Sequence, residues 1–187
     1  MAETGVDTYL KNGKEFLEQG NYDKAIEEFT EALKFDQNLI EAKNGLAVAH
    51  FNRGINHYRS GDADKAVAEM TEAIRFNPND AKAYGARGTL LDQKNDHDGT
   101  IRDFTDVIRL EPMNAVPYDS RGHAYYQKSK KYLENDHENY FKYFDLAIKD
   151  WEEAVKLDPS NELYQRALKA GIGELAGRKR MFDSIKT

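Results

Sequence analysis

Between Tyr9 and Phe35 the apolar residues fall in two blocks at helical intervals. Leu10, Phe16 and Leu17 share a face of the stretch ending at Gln19, and Ala25, Ile26, Phe29, Ala32 and Leu33 line one side of Tyr22 to Phe35. Gly20 and Asn21 between them supply a turn. The pattern predicts a helical hairpin. A pair this short is marginal by itself, because its outer apolar stripe needs a neighbour to cover it.

The chain supplies that neighbour by repeating the pattern. Ala25, Phe29, Ala32 and Gln37 are followed at the same spacing by Ala66, Met70, Ala73 and Pro78, by Thr100, Phe104, Val107 and Pro112, and by Ala147, Trp151, Ala154 and Pro159. Gly54, Gly88 and Gly122 recur at steps of 34 residues, and Gly13 takes the same slot in the first copy. Small residues let two helices approach, a large one fills the gap between them, and proline stands just beyond the helix end. A fixed period of this size marks one supersecondary unit copied and stacked.

Four copies in phase, over roughly residues 6 to 161, resemble the tetratricopeptide repeat (TPR). The resemblance implies an all-α fold, a right-handed superhelical α-α solenoid of antiparallel helix pairs. It implies a single domain over residues 6–182, with repeats at about 6–39, 40–80, 81–114 and 115–161 and a capping helix at about 162–182. In that last helix, Leu163, Ala167, Leu168, Ile172 and Leu175 are available to face inward, while Gly171, Gly173 and Gly177 weaken it. Departures from the family pattern include Gln37 for proline and Thr100 for alanine.

Where the family pattern has leucine before the repeated glycine, this chain has Asn12, Arg53, Arg87 and Arg121. An acid precedes the large residue of the second helix in each copy: Glu28, Glu69, Asp103 and Asp150. The covarying charges predict an Arg–carboxylate pair within repeats 2, 3 and 4, with Asn12 a neutral partner for Glu28. The competing reading is a ladder of free arginines for an acidic ligand.

Two insertions break the period. Ala25 to Ala66 spans 41 residues, seven more than the repeat, which lengthens the first helix of repeat 2 to about Leu39–Arg59 with little change of facing. Thirteen residues added between Gly122 and Ala147 predict that both helices of repeat 4 extend into a projecting hairpin turning near Asn135 and Asp136. It is rich in aromatics. Most of Tyr132, Leu133, Tyr140, Phe141 and Phe144 are expected to pack on one another, leaving one or two exposed; the candidate partner surface is Tyr132, Tyr140, Phe141 and Tyr143.

Charge and composition narrow the function. The net charge of −6 lacks the basic footprint of a nucleic-acid binder, no apolar run is long enough to span a bilayer, and the absence of cysteine removes disulfide and thiolate chemistry. The start, Met1 to Gly5, has neither a basic region nor an apolar core, so no signal peptide and a cytoplasmic location are expected. No catalytic, cofactor or metal constellation emerges. Asp96, Asp98 and Gly99 fit an EF-hand loop poorly, since Lys94 and Thr105 hold ligand positions. His50 and His57 lie about 10 Å apart on one helix, too far to share a metal with His123.

The expectation is therefore a non-enzymatic adaptor that binds a protein or peptide, with a chaperone or co-chaperone role and a self-associating structural subunit, a homo-oligomer, as alternatives. By position, the resemblance places Lys14, Phe51, Asn52, Ile55, Lys82, Thr89, Asp119 and His123 in a peptide-binding groove on the first helices, beside Asp7, Leu10, Lys11, Val48, Gly85, Ala86, Val116 and Ser120. The two-carboxylate clamp that some family members use for acidic chaperone tails is only partly matched. Its slots hold Leu10, Lys14, Asn52, Lys82 and Ala86, of which only Asn52 and Lys82 fit and Lys14 keeps a donor.

Overall fold

A computed structural model describes residues 5–185, and these form nine helices and no strand. The reading of residues 1–4 as free of a leader lies outside the described residues. The chain divides into two compact units, one running to Leu90 and the other beginning at Leu91.

The first unit contains α1 (Gly5–Glu18), α2 (Tyr22–Phe35), α3 (Ile40–Arg59), α4 (Ala63–Phe76) and most of α5 (Ala81–Gln93). Consecutive helices among the first four pack on one another, and α1 also touches α3. Phe29 is the centre. It is buried with Leu10, Ala25, Ala32, Leu46 and Ala49, and it lies between Gly13 of α1 and Gly45 of α3. A methyl added at Gly13 would sit 2.7 Å from the Phe29 ring, and one at Gly45 would overlap the ring's far edge. Gly45 lies in the insertion and holds no slot of the repeat, yet it is what lets the lengthened α3 reach the ring. That helix begins one residue later than predicted and ends at Arg59 as predicted.

The turns explain why the pairs close tightly. Gly20 and Gly61 have positive φ, and the next amide reaches back five residues, Asn21 to the Phe16 carbonyl at 2.8 Å and Asp62 to that of His57 at 2.9 Å. This is the left-handed closure that glycine adopts most readily. The same residues then cap the next helix: Asn21 accepts from the Lys24 amide and Asp62 from the Lys65 amide.

The second unit contains α6 (His97–Leu110), α7 (Ala115–Lys130), α8 (His137–Leu157) and α9 (Glu162–Ile185). Asp96 and Asp136 cap α6 and α8 in the same manner. The predicted extension of repeat 4 is present: α8 is 21 residues long and its turn from α7 runs through residues 131–136. The core is Tyr140, Phe144, Ala147, Ile148, Trp151 and Leu175.

The inward face of α9 is rotated from the one predicted. Leu163 is 69% exposed and Ile172 47%, whereas Tyr164 and Leu175 are each 8% exposed. The reason is Gly171, where a methyl would stand 2.7 Å from Trp151 and 2.8 Å from Ile148. The missing side chain lets α9 approach Trp151, and this fixes a face of Tyr164, Leu168, Gly171 and Leu175. Gly173 and Gly177 have open space around them.

Candidate interaction surfaces

The polar framework inside the repeats decides which charges remain for a ligand. Arg53 donates to Glu69 at 2.9 Å and to Asp23 at 2.6 Å, so α3 is tied to both α4 and α2. Glu69 also meets His50 Nδ1 at 2.8 Å. Burial opposes the charge of Glu69, and Arg53 with His50 outweighs it, holding the carboxyl below the usual range. In the second unit Arg121 donates through Nε and Nη2 to both oxygens of Asp150, and through Nη1 to Thr105 of α6 at 3.0 Å. Asn12 donates to Glu28 at 3.1 Å. The pairs expected for repeats 1, 2 and 4 are therefore present. Arg87 reaches Thr71 at 3.1 Å within the first unit; its expected acid, Asp103, belongs to the second.

In the first unit, Ile55 and Thr89 come together from α3 and α5. With Tyr58, Met70, Ala86 and Leu90 they line an open apolar cavity of about 200 Å³. Sequence reasoning named Ile55, Ala86 and Thr89. It missed Tyr58, which lies one turn further along α3, and the floor of Met70 and Leu90, which comes from the core. Thr89 is exposed and its hydroxyl donates to the Gly85 carbonyl at 2.9 Å. Phe51 packs half-buried against the Met70 core, Asn52 is half-buried, and Lys82 is exposed.

Lys14 is exposed but forms an ion pair with Glu41 of α3. It borders a cavity of about 330 Å³ lined mainly by charged residues, with Asp7, Leu10, Lys11, Glu15 and Glu18 around it. Acids outnumber bases there, which disfavours an anionic ligand.

In the second unit Asp119 and His123 stand one turn apart on α7. His123 Nε2 is 3.6 Å from Asp119 Oδ1, and the imidazole meets the Trp151 ring edge-on with centroids 5.2 Å apart. Burial pushes the Asp119 carboxyl above its usual range, with His123 opposing.

The aromatic hairpin is largely self-packed. Tyr143 stacks with Tyr132 at 5.5 Å and with Tyr125 at 6.4 Å, and Lys128 Nζ lies 4.3 Å from its ring centre. Phe141 is half-buried, edge-on to Tyr140 and to Phe182 of α9. Tyr140 does not belong to the surface proposed from sequence. It is 1% exposed, because the extension of α8 turns it into the core beside Phe144. Tyr132, Phe141 and Tyr143 keep partial exposure.

Among the described residues, no group of three or more His, Cys, Asp or Glu is arranged to hold a metal ion, and no helix is long and apolar enough to cross a membrane.

Antiparallel helix pairs with a glycine against a large side chain, Gly13 on Phe29, Gly54 on Met70 and Gly122 on Trp151, define a helical-repeat protein. Tetratricopeptide repeats are present in the chain: two models of that repeat match residues 13–54 and 47–80. No curated protein matches its sequence significantly. Among solved structures, the first TPR of Spaghetti (RPAP3), bound to the HSP90 peptide SRMEEVD, is 19% identical with a TM-score of 0.60, over 71% of this chain and 95% of that one. The second TPR domain of human RPAP3, in complex with the HSP70 peptide SGPTIEEVD, is 19% identical with a TM-score of 0.58, covering 69% and 97%. A MamA double mutant (RS-1 ArsTM) is 19% identical with a TM-score of 0.55, covering 98% and 99%. Identities this low show a shared fold.

Proposed function

We propose that this chain is an adaptor that binds an extended segment of a partner protein along the first helices of its repeats. The observation that carries this reading is the apolar cavity of Ile55, Tyr58, Met70, Ala86, Thr89 and Leu90. It is open, it is of a size for one apolar side chain, and three of its six lining residues, Ile55, Ala86 and Thr89, are ones that the repeat pattern assigns to the binding face. Framework arginines take no part, since Arg53 and Arg121 are spent on Glu69 and Asp150.

Recognition of an acidic chaperone tail, as in the two RPAP3 complexes, is less favoured for this chain. Lys14 is neutralised by Glu41, and Ala86, at a clamp slot that calls for a cation, lines the apolar cavity.

The test is affinity capture by the intact chain beside two variants. Thr89→Trp fills the cavity mouth, and Tyr132→Ala with Tyr143→Ala strips the hairpin stack. A partner lost with Thr89→Trp and kept with the hairpin variant supports the groove. Loss only with the hairpin variant moves the function to the projection, and partners unaffected by either sink the reading.

A further inference from the structure

Asp119 differs from its acidic neighbours in the second unit. Asp150 is held by two hydrogen bonds from Arg121, Asp98 by Lys128 at 2.5 Å, and Asp145 by Lys179 at 3.3 Å. Asp119, whose side chain is only 23% exposed, has as its ionic neighbour among the described residues an imidazole at 3.6 Å, beyond hydrogen-bond length. Its charge is felt by Tyr164 of α9, 8% exposed, whose hydroxyl is pushed up by burial and then by the negative charges of Asp119 and Asp158. A carboxylate taken out of water without a cation is unfavourable. The surroundings are nonetheless open on one side, for Val116 and His123, one turn before and after it on α7, are 56% exposed and 53% exposed at the side chain respectively.

We propose that Asp119 receives a cationic side chain, arginine or lysine, from the partner protein. This rests on the adaptor reading above and names a chemistry for α7, the first helix of repeat 4. The stem of such a side chain has Val116 and the His123 ring to lie on, and its head meets a carboxylate that His123 approaches only to 3.6 Å. The net charge of −6 favours a basic partner in the same direction. A half-buried acid whose ionic neighbour is an imidazole beyond hydrogen-bond length is a specificity device: it costs the empty site free energy that an arriving cation recovers, so a neutral or acidic residue at that point is rejected.

Trp151 is the sole tryptophan and touches His123, so the protein carries its own reporter. The intact chain is titrated with N-acetyl-arginine amide, N-acetyl-lysine amide and, as a neutral control, N-acetyl-citrulline amide. Indole fluorescence and the NMR signals of the Asp119 carboxyl and Trp151 indole are followed. The cations are expected to give saturable, salt-sensitive changes in the millimolar range, with citrulline inert and Asp119→Asn binding about tenfold more weakly. Asp119→Asn keeps the shape of the side chain, and a thermal melt verifies its fold. A response equal for citrulline, undiminished in Asp119→Asn, or absent for both cations overturns the proposal. The groove reading is tested separately: a partner lost with Thr89→Trp while neither cation binds would leave the groove standing and remove only this inference.

Discussion

Arg121 donates from two nitrogens to the two carboxylate oxygens of Asp150, each at 2.8 Å, across α7 and α8. Burial works against the guanidinium charge, and the bonds and charge of Asp150 more than offset it. The third bond, to Thr105, carries the tie back to α6. Arg53 does the same for α2, α3 and α4. One residue type at one repeat position thus links three helices. The family's usual leucine makes no such directional link.

Removing one member of the Arg121–Asp150 pair strands the other, with side chains only 17% and 9% exposed. Asp150→Ala is expected to cost about 2–4 kcal/mol. Arg121→Leu together with Asp150→Leu should cost less than the sum of the two single changes, because no charge is left unpaired and leucine fits the position by family pattern. Urea denaturation of the four proteins measures this; additive losses would show that the charges do not act as a pair.

Phe29 is held by two absences, the missing side chains of Gly13 and Gly45. A methyl at either must displace a ring that is 1% exposed, so Gly45→Ala and Gly13→Ala should each destabilise the first unit by about 1–3 kcal/mol. Phe29→Leu makes room, and on that background Gly45→Ala should lose most of its effect. Melting curves of the two single variants and the pair decide it. Equal losses with and without Phe29 would mean that the ring is not what the methyl meets.

The repeat was legible because every copy keeps small and large residues at the same spacing, so a departure in one copy, such as Thr100, is outvoted by the others. The Arg–carboxylate pairs of repeats 2 and 4 were legible for the same reason. What failed lies where no copy exists. Tyr140 was read as surface because the hairpin has no counterpart in repeats 1 to 3, and only the docking of α8 and α9 shows that the residue turns inward. Leu163 and Ile172 were read as inward because they are the larger apolar residues, but the close approach at Gly171 sets the face and brings Tyr164 in instead. The cavity floor of Met70 and Leu90 was invisible for a related reason: core residues reveal their exposed edges only once packed.

Tyr126 donates to Glu174 at 2.7 Å, and its hydroxyl is pushed up to about 12, by burial first and then by Glu174. A phenol with a folded value above its ordinary 10.0 adds stability that is fully present below pH 10 and lost as pH rises towards 12. Tyr126→Phe should cost about 1 kcal/mol at pH 8, for the lost hydrogen bond. Its deficit relative to the native chain should shrink through the alkaline window, since the variant has no such proton to lose. Thermal melts from pH 8 upward test this, and a deficit constant through that window would count against the bond's role.

Asp119 makes the opposite prediction at the other end of the scale. Its carboxyl is raised above the ordinary 3.8 by burial, so its protonated form is the one the fold prefers. The stability this contributes is complete below pH 3.8 and is lost as pH rises through the raised value, leaving a carboxylate that burdens the native state at neutral pH. Asp119→Asn removes that burden while keeping the shape, so the variant should melt higher than the native chain at pH 7 and converge with it in acid. Adding N-acetyl-arginine amide should narrow the gap at pH 7 by stabilising the native chain more than the variant, which binds it about tenfold more weakly. A variant that melts lower at pH 7 would show that the carboxylate is already satisfied within the fold. A variant that melts higher, with a gap that the arginine amide closes, ties the instability of this position to the ligand it is proposed to await.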